Sequence, residues 1–359
     1  MTDQLSDGPR GRRLLLELAR AADPEIGRAM WDLSYNAAVG AGAAIVRFGI
    51  DEDGVAFSDD SGQPVEISHS FSDVAALIRA LRRLDPAADQ LTEALRRSVD
   101  VAAYWQPPDG DDLVAAHPEV RDALAAVGTA VAEVPDAAWW HRERTAAQWA
   151  SEFDPSEDGA PFDAAPDAAQ RWSRIAREEE ERAVWERPAD PAAMFGGSWW
   201  SHPWGAPHTT GELPGGCPAG IPDVEDGFGW TRAVAIPVRG AGRTYEIRTA
   251  DDWVELCGRY PLEVTASRRH EWYRTTDRAG RWLLPDWGRV AQDWDAVHLS
   301  TWAYLTAAGR ALPVGEEYAS VIAGWGPDET YWLTGLVRET PDPRVHWRDV
   351  DSDGSWRRA

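Results

Sequence analysis

The run SRRHEWYRTTDR at 267–278 holds the densest set of groups suited to an anion: Arg268, Arg269, His270, Tyr273, Arg274, Thr275 and Thr276. Guanidinium forks bind phosphate through paired hydrogen bonds, and Thr and Tyr hydroxyls complete such a cradle. Between Phe228 and Trp282 ten Arg stand against seven Asp and Glu, a basic island in a chain of formal net charge -24. The competing reading is a solvated hairpin whose arginines pair with local acids. A second group is WWSHPW at 199–204, tryptophans in a Gly/Pro loop where no helical face accounts for them. Trp200 there could stack on a planar ligand or plug a seam between domains. A third, GWGPDETYWL, sets Asp328 and Glu329 at a strand mouth beside Trp325, Tyr331 and Trp332. A carboxylate so placed serves as a general base or polarising group, or simply as a turn acid. His202, His208 and Cys217 share one loop, but their spacing matches no familiar zinc pair and a fourth ligand is missing, so no metal is expected.

Absences narrow the chemistry. All 36 basic residues are arginine. Without lysine there is no P-loop lysine, no kinase strand lysine and no Schiff base for pyridoxal phosphate. The acidity opposes general nucleic-acid binding, because phosphate backbones are repelled, while a local basic patch can still hold a small anion. Cys217 and Cys257 make no disulfide framework and suit a reducing compartment. The apolar stretch after the N-terminal arginines is short and interrupted by Glu17 and Arg20, and does not read as a secretory signal. No run reaches the ~18 apolar residues of a membrane helix. A cytoplasmic protein with no membrane partner is therefore expected.

At 359 residues the chain suggests two domains. Residues 12–39 have a helical apolar stripe, interrupted at Asp23-Pro24. AAIVRFGI, an acidic Asp-Gly turn and VAF predict a β-hairpin within 43–69, with QPVEISHS as a possible third strand. Helical spacing returns from Ser72 and breaks at Pro118. An acidic Pro/Ala stretch at 151–168 has linker composition, a charged helix follows, and the boundary is placed near 190. Beyond it lie 14 of the 21 tryptophans. Strands are expected at 231–238, 243–248 and 296–307, and also at YASVIAGW and TYWLTGL. Two helices separate them: one starts at a Thr249/Asp252 capping box, the other at Pro285-Asp286. The fold class is thus α+β, with a mainly helical acidic part at 1–190 and a Trp-rich mixed α/β part at 191–359.

In their order along the chain, Arg232 in GWTRAVAIPV, Ser300 and Thr301 in VHLSTW and Glu329 in PDETYWL faintly resemble the ADP-ribosyltransferase fold. The resemblance implies a domain that cleaves NAD at its nicotinamide–ribose bond. Arg232 would hold the NAD phosphates, Ser300 would support the nicotinamide pocket, and Glu329 would stabilise the ribose cation as nicotinamide leaves. Here Ser-Thr-Trp stands where the family has Ser-Thr-Ser, and Glu329 has no paired Glu-x-Glu. The longer runs WWSHPWG, RRHEWYRTT and PDWGRVAQDWDAVHLSTWAYL resemble a Trp-rich bacterial family that carries no function over. Three readings stand: an NAD-cleaving enzyme, a non-catalytic protein whose acidic helical half docks a protein partner, and another small-molecule enzyme using His270 or His298 as acid or base.

Overall fold

A computed structural model of the chain describes residues 3–42, 47–50, 56–59, 63–81, 84–155, 160–225, 227–350 and 354–359. Its architecture is α+β, with helices gathered toward the N-terminus and sheets toward the C-terminus. The helical part comprises α1 (Pro9–Ala22), α2 (Pro24–Gly40), α3 (Phe71–Ala80), α4 (Ala88–Asp100), α5 (Gly110–Ala116) and α6 (Pro118–Ala132). Prolines open α1, α2 and α6, where the missing N–H is no loss. Asp23 caps α2 through Glu25 N, which is why the stripe breaks there, and a Ser70/Asp73 capping box starts α3. The hairpin exists as β1 (Arg47–Ile50) against β2 (Ala56–Asp59), antiparallel, with its turn outside the described residues. The third strand does not form. Instead Val65 exchanges two hydrogen bonds with the Asn36 side chain, both at 2.8 Å, which pins this segment to α2.

The large sheet crosses the expected boundary. Strand β3 (Ala147–Phe153) pairs along its length with β5 (Arg232–Gly240), and Trp149 opposite Thr210 ties it to β4 (His208–Thr210). Between β3 and β5 lie the residues read as linker and the helix α7 (Ala168–Glu186). Trp149 and Ala150 lie on opposite faces of β3 and each packs into a separate small apolar cluster, a character that the acidic residues after Phe153 mask in composition. Beyond these come β6 (Thr244–Ile247), α8 (Ala250–Arg259), β7 (Pro261–Glu263), α9 (Thr265–Thr276), β8 (Arg281–Pro285), α10 (Trp287–Val290), β9 (Ala296–Leu299) and α11 (Thr301–Ala307). The chain ends with β10 (Leu312–Val314), β11 (Tyr318–Ser320), β12 (Glu329–Trp332), β13 (Val337–Glu339), β14 (Val345–Asp349) and β15 (Trp356–Arg358). The large sheet runs β15-β14-β5-β3-β4-β12-β9-β6, with β13 also on β5; β10-β11-β8-β7 form a smaller one.

Two expectations are corrected here. Residues 296–307 are not one strand: β9 ends at Leu299, and the Ser300 side chain accepts from Ala303 N to start α11. The 267–278 run is not a hairpin but most of α9, whose inner side packs under α7. One apolar core joins Leu14, Leu15 and Leu16 of α1 to Trp140, Tyr304, Leu305 and the buried tryptophans Trp253, Trp282, Trp287 and Trp325. Neither the sheet nor the core divides at 190.

Gly240 closes β5 against the fully buried Trp332 ring; a Cβ there would lie 1.7 Å from the ring edge. The ring is also held by an Nε1 hydrogen bond to Thr209 Oγ1 at 2.8 Å. Gly240→Ala is therefore expected to cost at least the ~1–3 kcal/mol typical of overpacking, read as a lower denaturant midpoint with unchanged slope.

Candidate functional site

Glu329 begins β12, between Thr210 of β4 and Leu299 of β9. Its side chain is nearly buried: Oε1 meets His208 Nδ1 at 2.5 Å, and Oε2 accepts from Gly326 N at 2.6 Å. Half of the His208 side chain faces solvent. Burial opposes a charge on this imidazole, but the Glu329 carboxylate outweighs it and holds His208 above the ordinary histidine range. The pair is thus a carboxylate-oriented histidine with an open edge, an arrangement able to carry a proton to or from a ligand.

Directly behind it lies a fixed polar network. Asp328 has φ +58, a left-handed conformation that few non-glycine residues adopt. Arg142 Nη2 and Gly211 N both donate to Asp328 Oδ2 at 2.9 Å, while His298 Nε2 approaches Oδ1 at 3.4 Å. His298 is fully buried and bonds Glu246 through Nδ1 at 2.6 Å. Several partners therefore over-determine the strained turn that presents Glu329. Burial works against the Asp328 charge, but His298 and Arg142 bring its carboxyl below the usual range.

A third arm comes from residues 222–225. Burial pushes the Glu225 carboxyl up to about 8, the tyrosines Tyr104 and Tyr304 pull the other way, and the Glu329 charge adds to the rise. Both tyrosine hydroxyls donate to Glu225 Oε1, at 2.7 and 2.9 Å, leaving Oε2 with no partner among the described residues. Tyr104 follows α4 and Tyr304 sits on α11, so the helical part supplies one of the carboxyl's two donors and the C-terminal part the other. Asp223 is 2 % exposed, and its backbone oxygen and the Glu329 carboxyl flank Gly326. The WWSHPW loop closes against the same turn. Ser201 exchanges hydrogen bonds with Ala323 and receives Trp325 Nε1, while Gly324, at φ +77, leaves room for Trp199, Trp200 and His202. His202 stacks on Tyr331, and burial depresses it to about 3, so it is neutral.

The expected site residues are only partly brought together. Ser300 extends β9 past Leu299 and so stands beside the Asp328–Glu329 turn, but its hydroxyl is spent capping α11. Trp200 borders the site at 36 % exposure, its ring 4.8 Å from Trp199. Arg232 does not join them. It is exposed on β5, facing Asp154 at 3.5 Å, three strands across and five residues along from the level of Glu329, roughly 20 Å away by strand spacings. Nor do 268–274 form an open phosphate cradle. Arg268 is buried and bonds Glu179 at 3.0 Å, Arg269 donates to the Pro188 carbonyl, and Arg274 pairs with Glu271 and the Phe195 carbonyl. His270 is buried with its ring 5.3 Å from Phe195, and Tyr273 is half-buried on the same helix. The physical reason is charge pairing: α7 brings Glu179 and Glu180 over the N-terminal half of α9.

Sequence reasoning passed over Asp223, Glu225, Tyr104, Tyr304 and Arg142, and considered His208 only as a metal ligand. The available signal was PDVED, three acids in a Gly/Pro loop without helical spacing. No protein-family model, curated protein or solved structure matches the chain. No helix among the described residues is long and apolar enough to cross a membrane.

His298 and Glu225 make stability depend on pH in offset, partly overlapping windows. Burial opposes the His298 charge, but Asp328 and Glu246 outweigh it and raise it to about 9. Its folded pKa lies above its unfolded one, so its contribution is complete below ~6.5 and is lost as pH rises through 9. Glu225, raised to about 8, contributes in the same sense, from its ordinary ~4.3 upward. Melting temperature is expected to fall on both limbs. His298→Gln should flatten the upper limb and Glu225→Gln the lower one.

Proposed function

We propose that the Glu329 cluster is an acid–base site that breaks a glycosidic bond, C–O or C–N, with NAD as the substrate that the resemblance names. The observation that carries this reading is the contrast between two carboxyls near Glu329. Glu225 is raised to about 8 and keeps an unpartnered oxygen, whereas Asp328 is held ionised by His298 and Arg142 behind Glu329. The environment that raises Glu225 marks it as the acid, while Asp328, engaged by His298, Arg142 and Gly211 N, leaves the base side to the Glu329–His208 pair. Glu225 gives its proton to the leaving oxygen. The Glu329 carboxylate faces the cation that develops at the sugar carbon, and His208 shares the proton of the incoming water.

NAD differs in one respect. Nicotinamide leaves as a neutral ring and needs no proton, so its release should require Glu329 but not Glu225. The arginines expected to hold the NAD phosphates are committed to Asp154, Glu179 and Glu271, which favours a sugar without phosphates. The test is release of nicotinamide from NAD and of nitrophenol from a panel of nitrophenyl glycosides by the full chain. Turnover of either class supports the reading and identifies the bond. Turnover of neither returns weight to a non-catalytic protein that docks a partner through its acidic helical half, a reading that the internally paired 268–274 arginines favour.

A further inference from the structure

Where α1 packs against α4, the surface between them sinks into a groove of about 500 Å³. Leu18, Ala21 and Ala94 give it an apolar floor, and the two alanines keep it open. Most charges around it are already paired. Arg20 is held by Asp111 at 2.6 Å, and Glu93 accepts from Arg96 and from Arg97 Nε. Glu17 is only half engaged. Its Oε1 accepts from Arg13 Nε at 2.6 Å, whereas Oε2 has Arg97 Nη1 at 3.7 Å, beyond hydrogen-bond reach. Although Glu17 is a buried residue, this oxygen stays in contact with solvent in the groove. Arg97 gives Nε to Glu93 and leaves both Nη groups without a hydrogen bond among the described residues. One turn before Glu93 on the same face of α4, ~6 Å along the axis, stands Asp89. Its Oδ1 accepts from Gln90 N, and Oδ2 has no partner among the described residues. The groove therefore offers two carboxylate oxygens and one guanidinium fork over an apolar floor.

We propose that this groove binds a free basic α-amino acid of the lysine type. The α-ammonium donates to Glu17 Oε2, and the α-carboxylate accepts from the Arg97 fork. An α-amino acid carries both charges on one carbon, its nitrogen and carboxyl carbon about 2.5 Å apart by bond lengths. That suits facing groups separated by 3.7 Å, which no ligand of a single charge can satisfy together. The methylene stem lies on Leu18, Ala21 and Ala94, as long cationic side chains lie on apolar surface. The stem spans about one helical turn, so the side-chain ammonium reaches Asp89. This site belongs to the helical part and does not rest on the glycosidic reading.

The experiment is calorimetric titration of the full chain near neutral pH with lysine, norleucine and cadaverine. Norleucine lacks the side-chain ammonium, and cadaverine lacks the carboxylate. Lysine is expected to bind about tenfold more tightly than either, the value of one charge-assisted hydrogen bond. Asp89→Asn keeps the oxygen that accepts from Gln90 N and should bring lysine down to the level of norleucine. Ala21→Leu, at an exposed position, fills the groove and should weaken lysine by a similar factor while leaving the melting temperature unchanged. Cadaverine binding as tightly as lysine marks a general attraction of dications to an acidic surface and overturns the proposal. So does norleucine matching lysine, lysine failing to bind at millimolar concentration, or an affinity unmoved by Asp89→Asn. The comparison of ligands uses the unaltered chain, so it decides even where a variant fails to fold.

Discussion

Glu329→Gln is expected to lower turnover by about 10²- to 10⁴-fold, the usual contribution of a positioned acid or base. The substitution keeps the side chain's size and leaves an oxygen for Gly326 N, so the turn before β12 retains that bond. It removes the negative charge that orients His208 and raises it. The loss should therefore fall on kcat more than on KM, and the acidic limb of the pH profile should shift as His208 returns toward its ordinary range. Glu225→Gln makes the complementary measurement. With glycosides that need leaving-group protonation, activity of the unaltered chain should decline above about 8 as Glu225 ionises. The variant should lose most of its turnover together with that limb. Arg232→Ala, exposed and on the far part of β5, is expected to leave turnover unchanged.

Asp112→Ala should be the most destabilising simple substitution at an ion pair. Asp112 joins Arg10 with both side chains buried and lies 3.5 Å from Arg13, and Arg10 also donates to the Ser98 carbonyl at 2.5 Å. Removing the carboxylate leaves a buried guanidinium without its counter-charge, which typically costs ~3–5 kcal/mol. Urea unfolding of the full chain measures it. The exposed pair Arg28–Glu25 is the control and should be worth ~1 kcal/mol or less. Replacing both buried partners, as Arg10→Met with Asp112→Leu, should recover much of the loss, because two desolvated charges disappear together. The effect should also reach the site. Backbone of α1 approaches α11 so closely that a Cβ on Gly8 would lie 2.3 Å from the Leu305 carbonyl oxygen, and α11 carries Tyr304 to Glu225.

Much of the local structure was legible in the residues themselves. The Thr249/Asp252 capping box starts α8, Asp286 caps α10, Pro118 opens α6, and TRAVAIPV is the heart of β5. These follow from capping, proline geometry and strand composition, which act over a few residues. Lysine-dependent chemistry was excluded by composition alone, and Glu329 was found as an acid at a strand mouth. Which partners each polar group meets was decided by the tertiary structure. Arg142 reaches Asp328 across 186 positions and Tyr104 reaches Glu225 across 121, so no spacing rule could pair them. The 268–274 arginines look like a phosphate cradle until α7 sets Glu179 against Arg268. Likewise β3 reads as the edge of a linker until β5 and β4 pair with it. Sequence determines what a side chain can donate or accept; only packing determines whether a partner within the fold satisfies it, as Glu179 does for Arg268, or leaves it without one among the described residues, as with Asp223.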